Sequence, residues 1–263
     1  MSRAVRVAVV GKGGAGKSTI AGTMARIVGR TGTPVLALDS DLMPGLSLSL
    51  GSGPDPVPPP LIAAAEQKEG GHWGWCEGVD AAIAAQRFAT DAPDGVRLLQ
   101  RGKTGREGLR PIVASSKAFW EVVHGLVDAP QFADWTLIGD LPAGPYQIAD
   151  DWAPYAGAYL VVVQPTVQSA LTAKRAARLA RKRSPDAAVL FVANRTRGEQ
   201  DVRHVERLVG EPVFASVPAD EGVAAAERIG TAPIDHAPDA PAIAAIEELV
   251  SRLATTTRRA PPS

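Results

Sequence analysis

The chain has 263 residues, 45% of them hydrophobic and 21% charged. That is enough apolar side chain to bury a sizeable core and too little charge for global disorder. Lys and Arg number 28 and Asp and Glu 28, so the net charge is zero, which excludes a wholesale nucleic-acid or membrane coat and leaves only a local basic patch open. The single cysteine, Cys76, excludes an intrachain disulfide framework and any metal site built from several thiolates of one chain.

Met1-Ser2-Arg3-Ala4 leads directly into a short apolar run, Val5 to Val10, without a small-residue cleavage pattern. The start therefore predicts no secretory leader, and a cytoplasmic protein is expected. The run reads as a buried strand, and the segment Ser18 to Gly29 as the helix that follows. Further strands are predicted at Pro34 to Leu38, Val96 to Leu99, Trp135 to Gly139, Tyr159 to Val163, Val189 to Ala193 and Val213 to Val217. Most are continuous apolar runs, which suits a parallel sheet covered on both faces. Helices are predicted at Lys117 to Val127, Val167 to Lys182, Gln200 to Val209 and Ala240 to Leu253. The alternation predicts an α/β fold: a doubly wound, mostly parallel sheet with helices on both faces. One domain over residues 1–254 is expected, followed by a flexible polar tail, 255–263. Residues 52–60, SGPDPVPPP, cannot hold a helix, and the stretch 52–92 is expected to be an irregular insertion. No apolar run reaches the ~18 residues of a membrane-spanning helix.

Between the first strand and the first helix stands GKGGAGKST, Gly11 to Thr19, which fits G-x-x-x-x-G-K-[ST] at every fixed place. Glycines at Gly11, Gly13, Gly14 and Gly16 let the backbone amides of the loop, Ala15 included, turn toward one centre without Cβ clashes. The helix N-terminus adds partial positive charge there. Lys17 places an ammonium near the β- and γ-phosphates of a nucleotide, and the Ser18 hydroxyl can ligate Mg²⁺. The second strand runs into Asp39-Ser40-Asp41, and the segment Trp135 to Asp140 is an apolar strand ending in an acid. Carboxylates at strand carboxyl ends lie on the edge where such sheets bind ligands. Turn capping is the alternative for Asp39 and Asp41.

Lys12 to Ser18 also matches K-G-G-x-G-K-[ST], and at these residues the chain resembles the deviant Walker A ATPases of the MinD/ParA family. The resemblance implies an ATP-dependent homodimer in which Lys12 reaches the nucleotide of the other subunit. It implies that Asp41, 24 residues after Lys17, orients the attacking water. Asp39 then stands one layer out from Mg²⁺, and Asp140 holds a water on that ion. Leu141-Pro142-Ala143-Gly144 is close to the family's D-x-P-[AP]-G segment, where the Gly144 amide senses the γ-phosphate. Asn194, at a strand end and followed by Arg195, is the implied adenine contact. Val217-Pro218-Ala219-Asp220 resembles the family's loop beside the base, with Pro218 and Asp220 as candidates; a Pro-Asp helix start explains it equally well. Arg197 stands where a guanine-selective pocket needs an acid and cannot accept a hydrogen bond, so ATP is expected over GTP.

Gly95 to Lys103 is similar to a strand of the CooC-like ATPases, a subgroup linked to nickel insertion into carbon monoxide dehydrogenase. The metal-holding C-x-C pair of that subgroup is missing, because residues 104–118 contain no cysteine. An accessory ATPase for a client protein is thus the first reading. A ParA- or MinD-like spatial organiser binding DNA or a scaffold, and a low-turnover nucleotide-binding scaffold, are the others. DNA would need the basic arc Lys174, Arg175, Arg178, Arg181 and Lys182; a solvated helix face is favoured, since no aromatic residues are interleaved. Ile243, Ile246, Val250 and Leu253 recur at core spacing, so the last helix is expected to close the domain and no membrane anchor is expected. His72 and Cys76 are too few for a metal site, and Trp73 and Trp75 suggest either a partner-facing patch or a minor core.

Overall fold

In the computed structural model, which describes residues 4–43, 45–56, 59–103 and 110–256, eight strands form one sheet. In chain order the elements of its first half are β1 (Arg6–Gly11), α1 (Lys17–Arg30), β2 (Val35–Asp39) and α2 (Leu46–Leu50). A short antiparallel pair follows, β3 (Ala65–Gln67) and β4 (Trp73–Trp75), then α3 (Ala81–Phe88), β5 (Thr90–Asp91), β6 (Val96–Gln100) and α4 (Arg110–Gly125). The second half is β7 (Thr136–Asp140), α5 (Tyr146–Ala149), β8 (Ala158–Val163), α6 (Val167–Arg183), β9 (Ala188–Thr196) and α7 (Glu199–Val209). It ends with β10 (Val213–Pro218), α8 (Glu221–Ile229), α9 (Pro233–His236) and α10 (Pro241–Thr256).

The sheet order is β10-β9-β8-β1-β7-β2-β6-β5, parallel throughout except for the β5–β6 edge pair. All seven apolar runs predicted as strands are strands, and the fold is the doubly wound, mostly parallel α/β sheet expected. The reason is burial: β1, β2, β7 and β8 are covered on both faces, so their sequences carry little alternation. One face packs Phe119 and Val122 of α4 and Ala173 and Ala177 of α6 against Leu36, Tyr159 and Phe191. The other packs Ile20 and Met24 of α1 and Ile246, Leu249 and Leu253 of α10 against Val7, Val9 and Leu160.

Residues 52–92 hold more regular structure than their composition predicts: the β3–β4 pair, α3 and β5. Asp80 caps α3 by accepting from the Ile83 amide at 2.8 Å. The Cβ that a side chain would add at Gly125 of α4 meets Ala81 of α3, so only glycine permits this approach of the two helices. Helix α4 starts earlier than the Lys117 expected. Residues 257–263 of the predicted tail lie outside the described residues, as do 104–109 of the stretch without cysteine.

Helix α1, which carries the glycine loop at its N-terminus, is held by one buried cation. Arg26 donates from Nε to Asp94 at 2.5 Å, from Nη1 to the Leu50 carbonyl at 2.7 Å and from Nη2 to Asp235 at 2.8 Å. These contacts tie α1 to the turn before β6, the end of α2 and helix α9. Removing one partner of a buried pair leaves charge without compensation. Arg26→Ala is expected to cost about 3 kcal/mol, read as a lower denaturant midpoint with an unchanged slope.

Candidate functional site

Strand β1 delivers the chain into the glycine loop at Gly11, whose φ is +151°. A Cβ there would run into the Val162 carbonyl of the adjacent β8, so bare backbone is required. Gly14 (φ +74°) and Gly16 (φ +92°) take left-handed conformations that turn the loop back on itself. The Ala15 amide donates to the Lys12 carbonyl at 3.2 Å and closes that turn. Gly16 is the N-cap of α1 and supplies no side-chain cap, so the first amides of the helix, at Lys17, Ser18 and Thr19, are left for an anion. Lys17 is 7% exposed and curls over the loop, its Nζ 3.5 Å from the Lys12 carbonyl.

Neighbouring strands bring further groups to the same place. The Gln164 amide donates to the Gly14 carbonyl at 3.2 Å, and the Asn194 amide to the Ala15 carbonyl at 2.7 Å. Gly13 lies beside Ala143 in the loop after β7. Gly45, in the loop after β2, lies so close to Ser18 that a Cβ there would stand 2.6 Å from the hydroxyl oxygen. Gly144 has φ +103° with open space around it. The glycine loop and the segments after β2 and β7 thus meet at one edge of the sheet.

Register places the acids. Asp39 and Asp140 are directly paired neighbours in β2 and β7, and Val9 of β1 is paired with Asp140 on its other side. Both carboxyls are buried. Burial first, then repulsion from Asp140, Asp55 and Asp41, holds the Asp39 carboxyl well above the usual carboxylate range. Burial pushes Asp140 up to about 6, against the pull of the Ser18 hydroxyl and the Lys17 ammonium. Asp140 Oδ1 is buried without a hydrogen-bond partner among the described residues. A carboxylate oxygen orphaned beside a second carboxyl and a serine hydroxyl fits a small hard cation. No group of three or more His, Cys, Asp and Glu among the described residues could hold a metal by itself. The set therefore suits Mg²⁺, which keeps waters and takes phosphate oxygens, better than an ion needing an all-protein cage.

Both capping readings of the acidic pair also hold. Asp39 Oδ1 accepts from the Asp41 amide at 3.1 Å and Asp41 Oδ1 from the Met43 amide at 3.0 Å. The Ser40 hydroxyl, between them, shares its one proton between the Asp140 carbonyl at 2.9 Å and Gln147 Oε1 at 2.8 Å, and the Gln147 amide donates to the Ser40 carbonyl. This buried clasp locks the end of β2 to the segment after β7.

A cavity of about 450 Å³ opens beside the loop, lined by Thr19, Ile20, Asn194, Arg195, Pro218 and Asp220 among others. It joins the residues singled out for a base pocket to the start of α1, and its size suits a small ligand. Asp220 caps α8, accepting from the Gly222 and Val223 amides at 2.9 and 3.1 Å. Arg195 sits at φ +57° and ion-pairs with Glu227 at 3.0 Å. Glu227, also in the wall, accepts from the Thr19 hydroxyl at 2.6 Å. Neither Glu227 nor Gln164 was singled out from the sequence. Glu227 lies two helical turns beyond Asp220, a spacing with meaning only once α8 is laid against α1. His72 and Cys76 lie apart from this edge; Cys76 Sγ donates to the Ala63 carbonyl at 3.6 Å.

Residues 7–234 match the family model described as the CobQ/CobB/MinD/ParA nucleotide binding domain. An uncharacterized ATP-binding protein of Methanocaldococcus jannaschii is 28% identical over 255 residues, covering 95% of this chain and 88% of its own. The carbon monoxide dehydrogenase accessory protein CooC of Rhodospirillum rubrum is 25% identical over 251 residues, covering 89% and 91%. Among solved structures, MinD of Pyrococcus horikoshii complexed with Mg-ADP superposes with a TM-score of 0.72 at 20% identity, over 97% of each chain.

The raised pKa of Asp140 has a defined effect on stability. A carboxyl that binds its proton more tightly when folded loses stability as pH rises from about 4 toward about 6. Asp140→Asn removes that loss. In EDTA the variant is expected to melt higher than wild type at pH 8, with the advantage gone at pH 4, as thermal scans at the two pH values would show.

Proposed function

The chain belongs to the CobQ/CobB/MinD/ParA nucleotide-binding family, and on that premise we propose that it is a Mg-ATP-dependent ATPase acting as a nucleotide switch in a homodimer. The observation that supports this best is the uncapped glycine cradle, with Lys17 folded over it, standing beside the buried pair Asp39 and Asp140. Amides of residues 13, 14 and 16–19 would bind the phosphates, that of Ala15 being taken by the Lys12 carbonyl. Ser18, Asp39 and Asp140 would hold Mg²⁺, which supplies charge neutralisation on the phosphate oxygens when bound. Asn194, Arg195, Pro218 and Asp220 would border the base, and Arg197 favours adenine by offering guanine no acceptor.

Hydrolysis is an in-line attack by water on the terminal phosphorus. Asp41 is our candidate for orienting that water. One of its oxygens is held by the Met43 amide, and the other carries no hydrogen bond among the described residues. Lys17 stabilises the charge developing on the transferring group within the protomer. Lys12 does so from the partner, as an arginine finger does. Its ammonium makes no hydrogen bond or ion pair among the described residues and is available for that reach. The Gly144 amide would report the γ-phosphate to the segment after β7. ATP then favours one dimer geometry and hydrolysis releases it.

The likeness to CooC supports an accessory role for a client protein, without the thiolate pair. The DNA-binding alternative is less well supported. Along α6, Arg181 is paired with Glu211, Arg183 with Asp151, and Lys174 donates to the Leu208 carbonyl. No helix among the described residues is long and apolar enough to cross a membrane. Ile243, Ile246 and Leu253 of α10 are buried in the core.

Three variants separate the roles. Lys17→Ala is expected to lose MgATP binding by calorimetry. Lys12→Ala should bind MgATP within about threefold of wild type but fail to double its mass in light scattering. Asp41→Ala should keep the ATP-dependent dimer and slow phosphate release by about 100-fold. Wild-type turnover in Lys12→Ala and Asp41→Ala would overturn the mechanism, and binding without phosphate release in wild type would leave the nucleotide-binding scaffold.

A further inference from the structure

Beside the Asp39–Asp41 end of β2, which the Arg101 amide bonds at the Asp39 carbonyl, a groove of about 550 Å³ runs along α4, with Arg101, Val113, Lys117, Trp120 and Trp152 in its walls. Its floor is rigid. Trp152 stacks on the core residue Phe119 with ring centroids 6.0 Å apart and carries the Arg101 guanidinium 4.7 Å from its ring centroid. Arg101 Nε is fixed on the Ser116 hydroxyl at 2.7 Å. Trp120 donates to the Asp150 carbonyl at 3.3 Å and packs 3.9 Å from His124. These aromatics have few alternative positions, so an arriving ligand orders little. Val113 is 46% exposed at the mouth.

The rim is cationic. Among the described lining residues, Arg101, Lys117 and Arg183 stand against one acid, Asp150, and Arg183 is already paired with Asp151 at 2.9 Å. Lys117 is exposed and has no acidic partner among the described residues. Lys117 also borders a second, smaller cavity of about 160 Å³, walled by Trp73, Trp75 and Glu121. Two apolar hollows joined across one lysine make an elongated surface, which suits an extended chain better than a compact molecule. Four of the chain's five tryptophans border it. Tryptophan and arginine are the residues on which binding energy concentrates at protein interfaces.

We propose that this α4 groove docks an acidic segment of a different protein, with one apolar side chain seated between Val113, Trp120 and Trp152 and its carboxylates on Lys117 and Arg101. Charge complementarity selects the segment and the tryptophan floor anchors it.

The test uses the full chain and labelled synthetic dodecapeptides, each with one Leu or Phe flanked by Asp and Glu or by Lys and Arg. Binding is read by peptide anisotropy and by the tryptophan emission of the protein. Acidic peptides are expected to bind at least tenfold more tightly than basic ones, and to lose at least tenfold when the apolar residue becomes Ala. Lys117→Glu is expected to erase the preference while its thermal midpoint and MgATP affinity stay at wild type. The proposal is overturned if no acidic peptide binds, if basic peptides bind equally, or if Lys117→Glu binds acidic peptides as wild type does. It is also overturned if the peptide-free chain doubles its mass through a contact that Lys117→Glu abolishes, because the groove would then hold a second copy.

Discussion

Two carboxyls, Asp39 and Asp140, lie side by side and buried at the carboxyl ends of two neighbouring parallel strands, and the geometry of the site follows from what that costs. Adjacent strands are about 4.8 Å apart. Two like charges at that separation repel by about 3–4 kcal/mol at an effective dielectric near 20. Desolvation adds to this, and both groups bind protons more tightly than free carboxyls. Such an arrangement is tolerated because the surroundings over-determine it: strand register sets the pair, and the Ser40–Gln147 clasp fixes the backbone on either side. A divalent cation beside them would turn the repulsion into attraction, which is what the proposed polyphosphate site asks of a costly arrangement.

The same edge explains the glycines. Gly11 is required by the nearness of the Val162 carbonyl, Gly16 by a left-handed turn whose Cβ would strike Asn194. Both belong to a loop pinned from outside by Gln164 and Asn194. The loop is therefore held in shape by contacts within the protein itself. Arg26 extends this rigidity to the far side of α1 by joining three separate segments to one helix.

The sequence made the sheet legible because burial on both faces leaves long apolar runs that no other element explains. It hid β5, which is two residues long, and the β3–β4 pair, whose strands are three residues each. Elements so short have no period to read. Their order comes from packing, as at Gly125 against Ala81. The loop Gly11 to Thr19 was legible because its chemistry is local. The contact between Thr19 and Glu227, 208 residues apart, was not, since it exists only after α8 meets α1. Asn194 shows the limit of a resemblance: the family pattern points it at a base, and the structure adds a bond to the Ala15 carbonyl that a pattern of residues does not contain.

Arg101 connects the two surfaces of the molecule. Its amide donates to the Asp39 carbonyl at 2.8 Å, and its guanidinium lies over Trp152 in the α4 groove. One residue thus stands in contact with the acid beside the cradle and with the floor of the docking surface. The loops after β2 and β7 meet on the cradle side, whereas Ser116 and Trp152 hold the groove side. If a nucleotide shifts the end of β2, the shift reaches Arg101 through a backbone bond rather than through a mobile side chain. Linkage then requires reciprocity: whatever a bound nucleotide does to the affinity of the groove, a partner in the groove does equally to the affinity for nucleotide. A switch built this way needs no large motion, only two arrangements of one strand end that the two ligands prefer differently.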